Sequence, residues 1–184
     1  LGFAQWSATK KMHPALKTIV PQVAVGIGID YPMQNGVFMS YMLSWIHFVT
    51  NNKLIDLNEF NDDRWEKLYE NYFKTGAAFR DLDKLDGRPN EIFQRWLNHP
   101  TYDEYLQKMT PQKEEFAKIN IPILTITGYY DDDQLGAMYY YKEYLKWNKQ
   151  DNNYLLIGPY DHFGAQGFPL AALNDYKIDE VANI

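Results

Sequence analysis

The sequence has no cysteine, so disulfide bonds, thiol nucleophiles and cysteine-ligated zinc sites are all excluded. Basic residues are also few. The chain has 18 Lys and Arg against 24 Asp and Glu, a net charge of −6, and it lacks a positively charged footprint for nucleic acid. No apolar run approaches the roughly 18–20 residues that a membrane helix needs. We therefore expect neither a nucleic acid nor a membrane as a partner.

Serine is scarce as well. The chain has only Ser7, Ser40 and Ser44, and none of them lies in a Gly-x-Ser-x-Gly motif. Each falls within a predicted helix, where a serine hydroxyl usually bonds to its own backbone. By itself, the sequence therefore offers no serine that is placed as a nucleophile.

The composition is globular, with 46% hydrophobic and 16% aromatic residues, and both ends of the chain show an α/β pattern. The strand Ile121–Gly128, the helix Gly136–Trp147 and the strand Tyr154–Pro159 follow one another through short links. Such a strand–helix–strand unit is typical of parallel sheets. Near the start, the apolar and β-branched segment Thr18–Val25 predicts a further strand. We therefore predict an α/β fold built on a parallel sheet.

The middle of the chain has a helical pattern and is predicted to be an insertion. We predict one buried helix over Val37–Val49, a loop over Asp81–Pro89, and a helix capped by Thr101. No strand pattern stands out in this region. The predicted division has three parts, which are the core segment 1–29, the helical cap 30–118 and the second core segment 119–184.

Two polar loops follow the two predicted C-terminal strands, at the end of the sheet where ligands bind in open α/β folds. The first loop contains Asp131 and the second contains His162. A carboxylate that faces an imidazole fixes its tautomer and stabilises the imidazolium formed on proton transfer. The order acid then base is that of α/β-hydrolases. We therefore predict a catalytic pair in which Asp131 lies roughly 2.6–3.2 Å from a nitrogen of His162.

Three plainer interpretations compete with this one. A loop histidine is often only solvated, and Asp132 or Asp133 could serve only to cap the helix that follows. A calcium site is a third option, but three adjacent acids lack the alternating spacing of an EF-hand loop. We therefore expect no metal site.

Several motifs extend the pattern along the chain. The chain opens Leu-Gly-Phe-Ala-Gln-Trp and reads Pro-Ala-Leu-Lys-Thr-Ile-Val-Pro at 14–21 and His-Pro-Thr-Tyr-Asp at 99–103. Gly-Tyr-Tyr-Asp at 128–131 is followed by Gly-Ala at 136–137, and the base segment reads Ile-Gly-Pro-Tyr-Asp-His at 157–162. In these motifs the chain resembles the CocE/NonD-type serine hydrolases. That group includes cocaine esterase, α-amino-acid ester hydrolases, glutaryl-cephalosporin acylases and, more distantly, X-Pro dipeptidyl-peptidases.

The resemblance implies a partial α/β-hydrolase fold with an inserted α-helical cap, in which Asp131 is the triad acid and His162 the base. The family's nucleophile motif, Gly-x-Ser-Tyr-x-Gly-Phe, aligns with the start of the chain and puts the serine about two residues before Leu1. A further helix and a jelly-roll domain would follow the chain. We therefore expect a segment of a longer protein, which depends on the remainder as its partner and is inactive alone.

The resemblance also implies a small-molecule ester or amide substrate, which is cleaved through an acyl-enzyme without a cofactor. Asp133, Tyr130 and Tyr160 in the two triad motifs, and Trp45 in the cap, are predicted substrate contacts. Two alternatives stay open, an X-Pro dipeptidyl-peptidase and a non-catalytic binding module on the same fold. The sequence leaves a homo-oligomer possible and does not predict the cellular location.

One branch of the family, the amino-acid ester hydrolases, binds a substrate α-ammonium group with extra carboxylates near the triad. Asp133 matches one of these carboxylates, and Asp30 lies near the position of another. Gln134 stands where a further acid is expected, which weakens the case for an ammonium-binding site.

Overall fold

A computed structural model describes residues 2–50 and 62–166, together with the backbone of the short strands β5 (Ala172–Leu173) and β6 (Tyr176–Lys177). The chain divides into two compact units, one formed by Leu1–Tyr31 with Tyr102–Ile184, the other by Pro32–Thr101. No helix in the described ranges is long and apolar enough to cross a membrane.

The first unit contains the predicted parallel sheet. Strands β3 (Ile123–Gly128) and β4 (Asn153–Gly158) pair in parallel, and helix α7 (Gln134–Trp147) connects them. The predicted α/β fold is therefore confirmed. Strand β3 begins two residues later than predicted, and β4 begins and ends one residue earlier. Pro122 lies outside β3 because proline has no N–H to donate to the ladder.

The segment predicted as a strand over 18–25 lies parallel to β3 but joins it only at two isolated bridges, from Ile19 and Gln22. A regular strand is interrupted because Pro21 lacks a donor and Val23 has a φ of 44°. The backbone N–H and C=O groups of Val20 both bond to the side-chain amide of Gln5 in helix α1 (Gly2–Thr9). A glutamine thus occupies the place of a neighbouring strand along this short stretch.

The core of the first unit lies between this sheet and its helices. Trp6 is fully buried and stacks on Tyr140 of α7, with their ring centroids 5.0 Å apart. The remaining members of this cluster are Ile19, Ala24, Phe116, Ile119, Ile121, Ile123 and Tyr144. A second, smaller cluster consists of Val23, Ile126, Tyr160 and Ala165. Burial of this apolar surface fixes the ends of β3 and β4, from which the polar loops emerge.

Two elements that contact this core also belong to the first unit. Helix α6 (Glu104–Gln107) is capped by the Asp103 carboxylate, which accepts the N–H groups of Tyr105 and Leu106. The prediction of Thr101 as the N-cap is therefore wrong, because Asp103 is two residues closer to the helix. A 3₁₀ helix, Lys113–Lys118, then leads into β3.

The second unit opens with a small hairpin, and here the sequence prediction was wrong. Strands β1 (Met33–Gln34) and β2 (Val37–Phe38) pair around Asn35 and Gly36, which have φ values of 51° and 79°. Asn-Gly is a strong signal for this kind of turn. The predicted helix over Val37–Val49 therefore begins only at Met42.

The described remainder of the second unit is mostly helical. Its described helices are α2 (Met42–Thr50), α3 (Arg64–Thr75), a 3₁₀ turn (Phe79–Asp81), α4 (Leu82–Leu85) and α5 (Glu91–Leu97). The loop predicted over Asp81–Pro89 is in part helical, because buried Leu82 anchors a short turn. The predicted three-part division of the chain stays a prediction.

Candidate active site

The two polar loops run side by side where β3 and β4 end. The last residues of the strands, Gly128 and Gly158, are paired, and the ladder continues beyond them. Tyr129 N–H donates to Gly158 O at 2.9 Å, and Tyr130 N–H donates to Tyr160 O at 3.0 Å. The loops that follow the strands are therefore held together by backbone hydrogen bonds before any side chain is considered.

Asp131 and His162 meet across these loops. Nδ1 of His162 lies 3.0 Å from Oδ1 of Asp131, within the range predicted from the sequence. The Asp131 side chain is fully buried, whereas the imidazole is 39% exposed. An ionised carboxylate can only accept, so Nδ1 carries the proton and Nε2 of the neutral ring presents a lone pair. This arrangement suits a general base at Nε2.

Further donors hold the Asp131 carboxylate in place. The Thr127 hydroxyl donates to Oδ2 at 2.9 Å, and the Asp133 N–H donates to Oδ1 at 3.1 Å. Burial raises the pKa of Asp131, but the hydrogen bonds from His162, Asp133 and Thr127 outweigh it, and its pKa is lowered. Thr127 was not predicted, and its only sequence signal is a hydroxyl near the end of a buried strand.

Asp133 is the second carboxylate at the ring. Its Oδ2 lies 3.3 Å from Nδ1 of His162, and the residue is only 7% exposed. It occupies the N-cap position of α7, yet its side chain makes no capping hydrogen bond. Burial raises the pKa of Asp133 to about 7. The charge of His162 opposes this rise, and the charges of nearby carboxylates add to it.

The carboxylate of Asp30, in the N-terminal segment of the unit, bonds to the first turn of the same helix. Its Oδ1 accepts Gly26 N–H at 2.7 Å, and its Oδ2 accepts Gly136 N–H, in the first turn of α7, at 2.5 Å. Burial raises the pKa of Asp30 to about 6, although the two backbone donors oppose the shift. The negative charge of Asp131 contributes to the same rise, so the two carboxylates belong to one electrostatic cluster.

The electrostatics of the site stabilise the charged form of the imidazole relative to a free histidine. The hydrogen bond to Asp131 raises the pKa of His162 above its ordinary value, burial opposes that rise, and the charge of Asp133 adds to it.

The same three side chains could also hold a divalent cation. One carboxylate oxygen each from Asp131 and Asp133 and one ring nitrogen of His162 lie within 4.8 Å of one another. A hydrogen bond and an ion pair account for the distances without a metal.

The other predicted site residues lie in three different surroundings. Tyr130 is 60% exposed beside the pair, whereas Tyr160 is buried in the smaller core cluster. Trp45 belongs to the second unit, where its ring packs 5.3 Å from that of Phe48. The roles of these residues as substrate contacts stay predictions.

No serine hydroxyl among the described residues is hydrogen-bonded to the histidine ring. Ser44 donates instead to Tyr41 O at 2.8 Å, within its own helical turn, as the sequence predicted. Ser7 lies in α1, and Ser40 precedes α2 rather than lying within a helix.

Comparison with known proteins supplies the family. A search of curated protein sequences finds no match. The family model of the X-Pro dipeptidyl-peptidase (S15 family) matches residues 1–164, which include both loops of the site and nearly all of the described chain. This match agrees with the resemblance seen in the sequence motifs. The chain therefore belongs to the X-Pro dipeptidyl-peptidase (S15) family.

Proposed function

We propose that this chain carries the acid and base of a serine hydrolase that cleaves ester or amide bonds through an acyl-enzyme. The observation that carries the proposal is the 3.0 Å hydrogen bond between the buried Asp131 carboxylate and Nδ1 of the partly exposed His162. A buried acid behind a half-exposed imidazole is the orienting half of a nucleophilic triad. Membership in a peptidase family supports the same reaction class.

In the proposed mechanism, Nε2 of His162 takes the proton of a serine hydroxyl as the oxygen attacks the substrate carbonyl. The imidazolium that results is stabilised by Asp131 and then protonates the leaving alcohol or amine. Water, deprotonated by the same nitrogen, attacks the acyl-enzyme and releases the acid. The proposal assigns the nucleophile to a serine about two residues before Leu1, on the alignment of the family motif with the start of the chain.

A second candidate is an X-Pro dipeptidyl-peptidase, which the family match favours over a simple esterase. Both enzymes would use the same pair of residues and would differ in the substrate cleft. Turnover of an aminoacyl-prolyl anilide, compared with that of a p-nitrophenyl ester, separates the two. A non-catalytic binding module would turn over neither substrate.

The test uses a protein that includes the serine motif before Leu1, treated with a fluorophosphonate probe. We expect covalent labelling and hydrolysis of an ester or amide. His162→Gln removes the base and should lower kcat/KM on the order of 10⁴-fold, the scale of a disabled triad. The 184-residue chain by itself should not label.

His99→Gln is the matched control, since it makes the same substitution at a histidine outside the first unit. It should leave labelling and turnover close to wild type. A folded protein with the serine motif that neither labels nor hydrolyses any of these substrates contradicts the proposal. In that case the binding module becomes the better interpretation.

A further inference from the structure

Two carboxylates lie against one ring nitrogen, although a single acid is sufficient to orient a triad histidine. Nδ1 of His162 is 3.0 Å from Asp131 Oδ1 and 3.3 Å from Asp133 Oδ2. Burial of a second carboxylate is costly unless it has a partner. The position of Asp133 therefore requires a reason beyond chance proximity.

Helix capping is not that reason. Asp133 stands at the N-cap of α7, where a carboxylate ordinarily accepts an N–H from the first turn. Its side chain makes no such bond. The first-turn N–H of Gly136 is bonded instead to Oδ2 of Asp30, which lies 106 residues away in the chain. Because Asp30 satisfies the helix terminus, the carboxylate of Asp133 is available to the histidine.

Substrate contact also fits Asp133 poorly. Its carboxylate approaches the ring at Nδ1, whereas the proposed mechanism uses Nε2, on the other side of the imidazole. The residue is 7% exposed, so little of it is open to a ligand. Among the described residues, the ion pair with His162 is the contact that its carboxylate makes.

We propose that Asp133 is a positioning residue for His162, a second acid that lies beside Nδ1 and stabilises the imidazolium. This inference rests on the proposed function, since it assigns Nε2 to proton transfer. Beside Asp131, the charged groups that act on the pair are Asp30 and Asp132, which raise the pKa of Asp133, and the α-amino group at the start of the chain, which lowers the pKa of His162. Negative charge on Asp133 in turn raises the pKa of His162.

The kinetic test compares Asp131→Asn, Asp133→Asn and the double variant, in a protein that includes the serine motif. With a second acid present, Asp131→Asn should lose much less than the ~10⁴-fold of a triad whose only acid is neutralised, and the double variant should approach that loss. Asp133→Asn should shift the acidic limb of the kcat/KM profile to lower pH, because it lowers the pKa of the base.

Asp132→Asn is the matched control, since it removes the same charge from the neighbouring, exposed residue. It should shift the acidic limb less than Asp133→Asn does, because the charge of Asp132 has the smallest effect of the three neighbouring carboxylates on the pKa of Asp133. If Asp133→Asn instead raises only KM, and only for substrates with a free amino group, Asp133 binds substrate and the inference is overturned. If Asp131→Asn is as inactive as the double variant, Asp133 contributes nothing and the inference also fails.

A second measurement separates this inference from the proposed function. Imidazole ¹⁵N resonances of His162 in the 184-residue chain report its tautomer and pKa without any catalysis. The Nδ1–H tautomer should persist in Asp131→Asn and lose its dominance in the double variant. An unchanged His162 titration in Asp133→Asn, and equally in Asp133→Ser should the first variant not fold, refutes the inference. Absence of probe labelling in the wild-type protein that includes the serine motif refutes only the proposed function.

Discussion

At the scale of single residues, the site depends on an exchange of roles between two aspartates. Asp133 occupies the capping position of α7 but faces His162, while Asp30 comes from a distant segment and bonds to Gly136 N–H. The local sequence predicts a helix-capping role for Asp133, because capping is a short-range pattern. The actual bond spans 106 residues, so no window along the chain could reveal it. Asp131 and His162, in contrast, are each fixed by the strand that precedes them.

Asp30→Asn tests this exchange directly. At pH 5 the Asp30 carboxyl, with a pKa of about 6, is mostly protonated, but both of its oxygens can still accept an N–H. The amide group of asparagine has one acceptor oxygen, so one buried N–H, of Gly26 or Gly136, loses its acceptor. The free energy of unfolding at pH 5 should fall by about 1–3 kcal/mol. Urea denaturation followed by circular dichroism measures it. Asp132→Asn, on the exposed neighbour of the site, should change it by less than about 0.5 kcal/mol, and equal losses in both variants would contradict the capping role of Asp30.

At the scale of elements, the sequence predicts the strand–helix–strand unit best, although β3 is largely buried whereas β4 is mostly half-buried or exposed. Strands β3 and β4 and helix α7 were predicted with small boundary errors, because apolar runs bounded by glycine and proline leave few alternatives. The failures had other causes. The sequence prediction misses the hairpin at Asn35 and Gly36, although its turn signal is present, because the apolar run that follows it fits one continuous helix.

Gly136→Ala tests how tightly α7 is held at its start. A Cβ there would lie 2.0 Å from Gly26 N and 2.6 Å from Ala24 O, and backbone atoms cannot move aside cheaply. Alanine in a helix normally stabilises by up to about 1 kcal/mol relative to glycine. Here we expect a net loss of about 1–3 kcal/mol, because the clash exceeds that gain.

Leu135→Ala is the control for that variant, since it changes the adjacent helical residue, which is 49% exposed. Thermal or urea unfolding should show little effect of this change. The Gly136→Ala variant should also weaken the bond to Asp30, so its His162 titration should differ from wild type. A Gly136→Ala protein as stable as wild type would show that the helix start can shift without cost.

At the scale of the whole molecule, the chain joins two compact units of different character. The first unit is α/β and the second is mostly helical, as the hydrophobic pattern indicates. Residues 102–118 carry a helical pattern but pack with the α/β unit. Periodicity reports the kind of element, whereas membership in a unit depends on packing, which no local pattern encodes.

The buried carboxylates also make a prediction for the stability of the whole chain. The folded-state pKa of Asp30 is raised to about 6 and that of Asp133 to about 7, above the value near 3.9 expected for each when unfolded. Between pH 4 and pH 7 the folded chain therefore binds more protons than the unfolded chain, and its stability falls as pH rises. The raised pKa of His162 acts in the same direction at higher pH, whereas the lowered pKa of Asp131 favours folding only above its acidic range.

We therefore expect the free energy of unfolding to be larger at pH 5 than at pH 7.5, with Asp30 alone contributing about 1.4 kcal/mol to the difference. Urea denaturation at a series of pH values measures the slope. Asp30→Asn should flatten it, and Asp30→Asn combined with Asp133→Asn should flatten it further, because neither asparagine titrates. Stability that rises steadily from pH 5 to pH 7.5 in the wild type would mean that these carboxylates are ionised without cost, and the clustered site described here would lack its electrostatic basis.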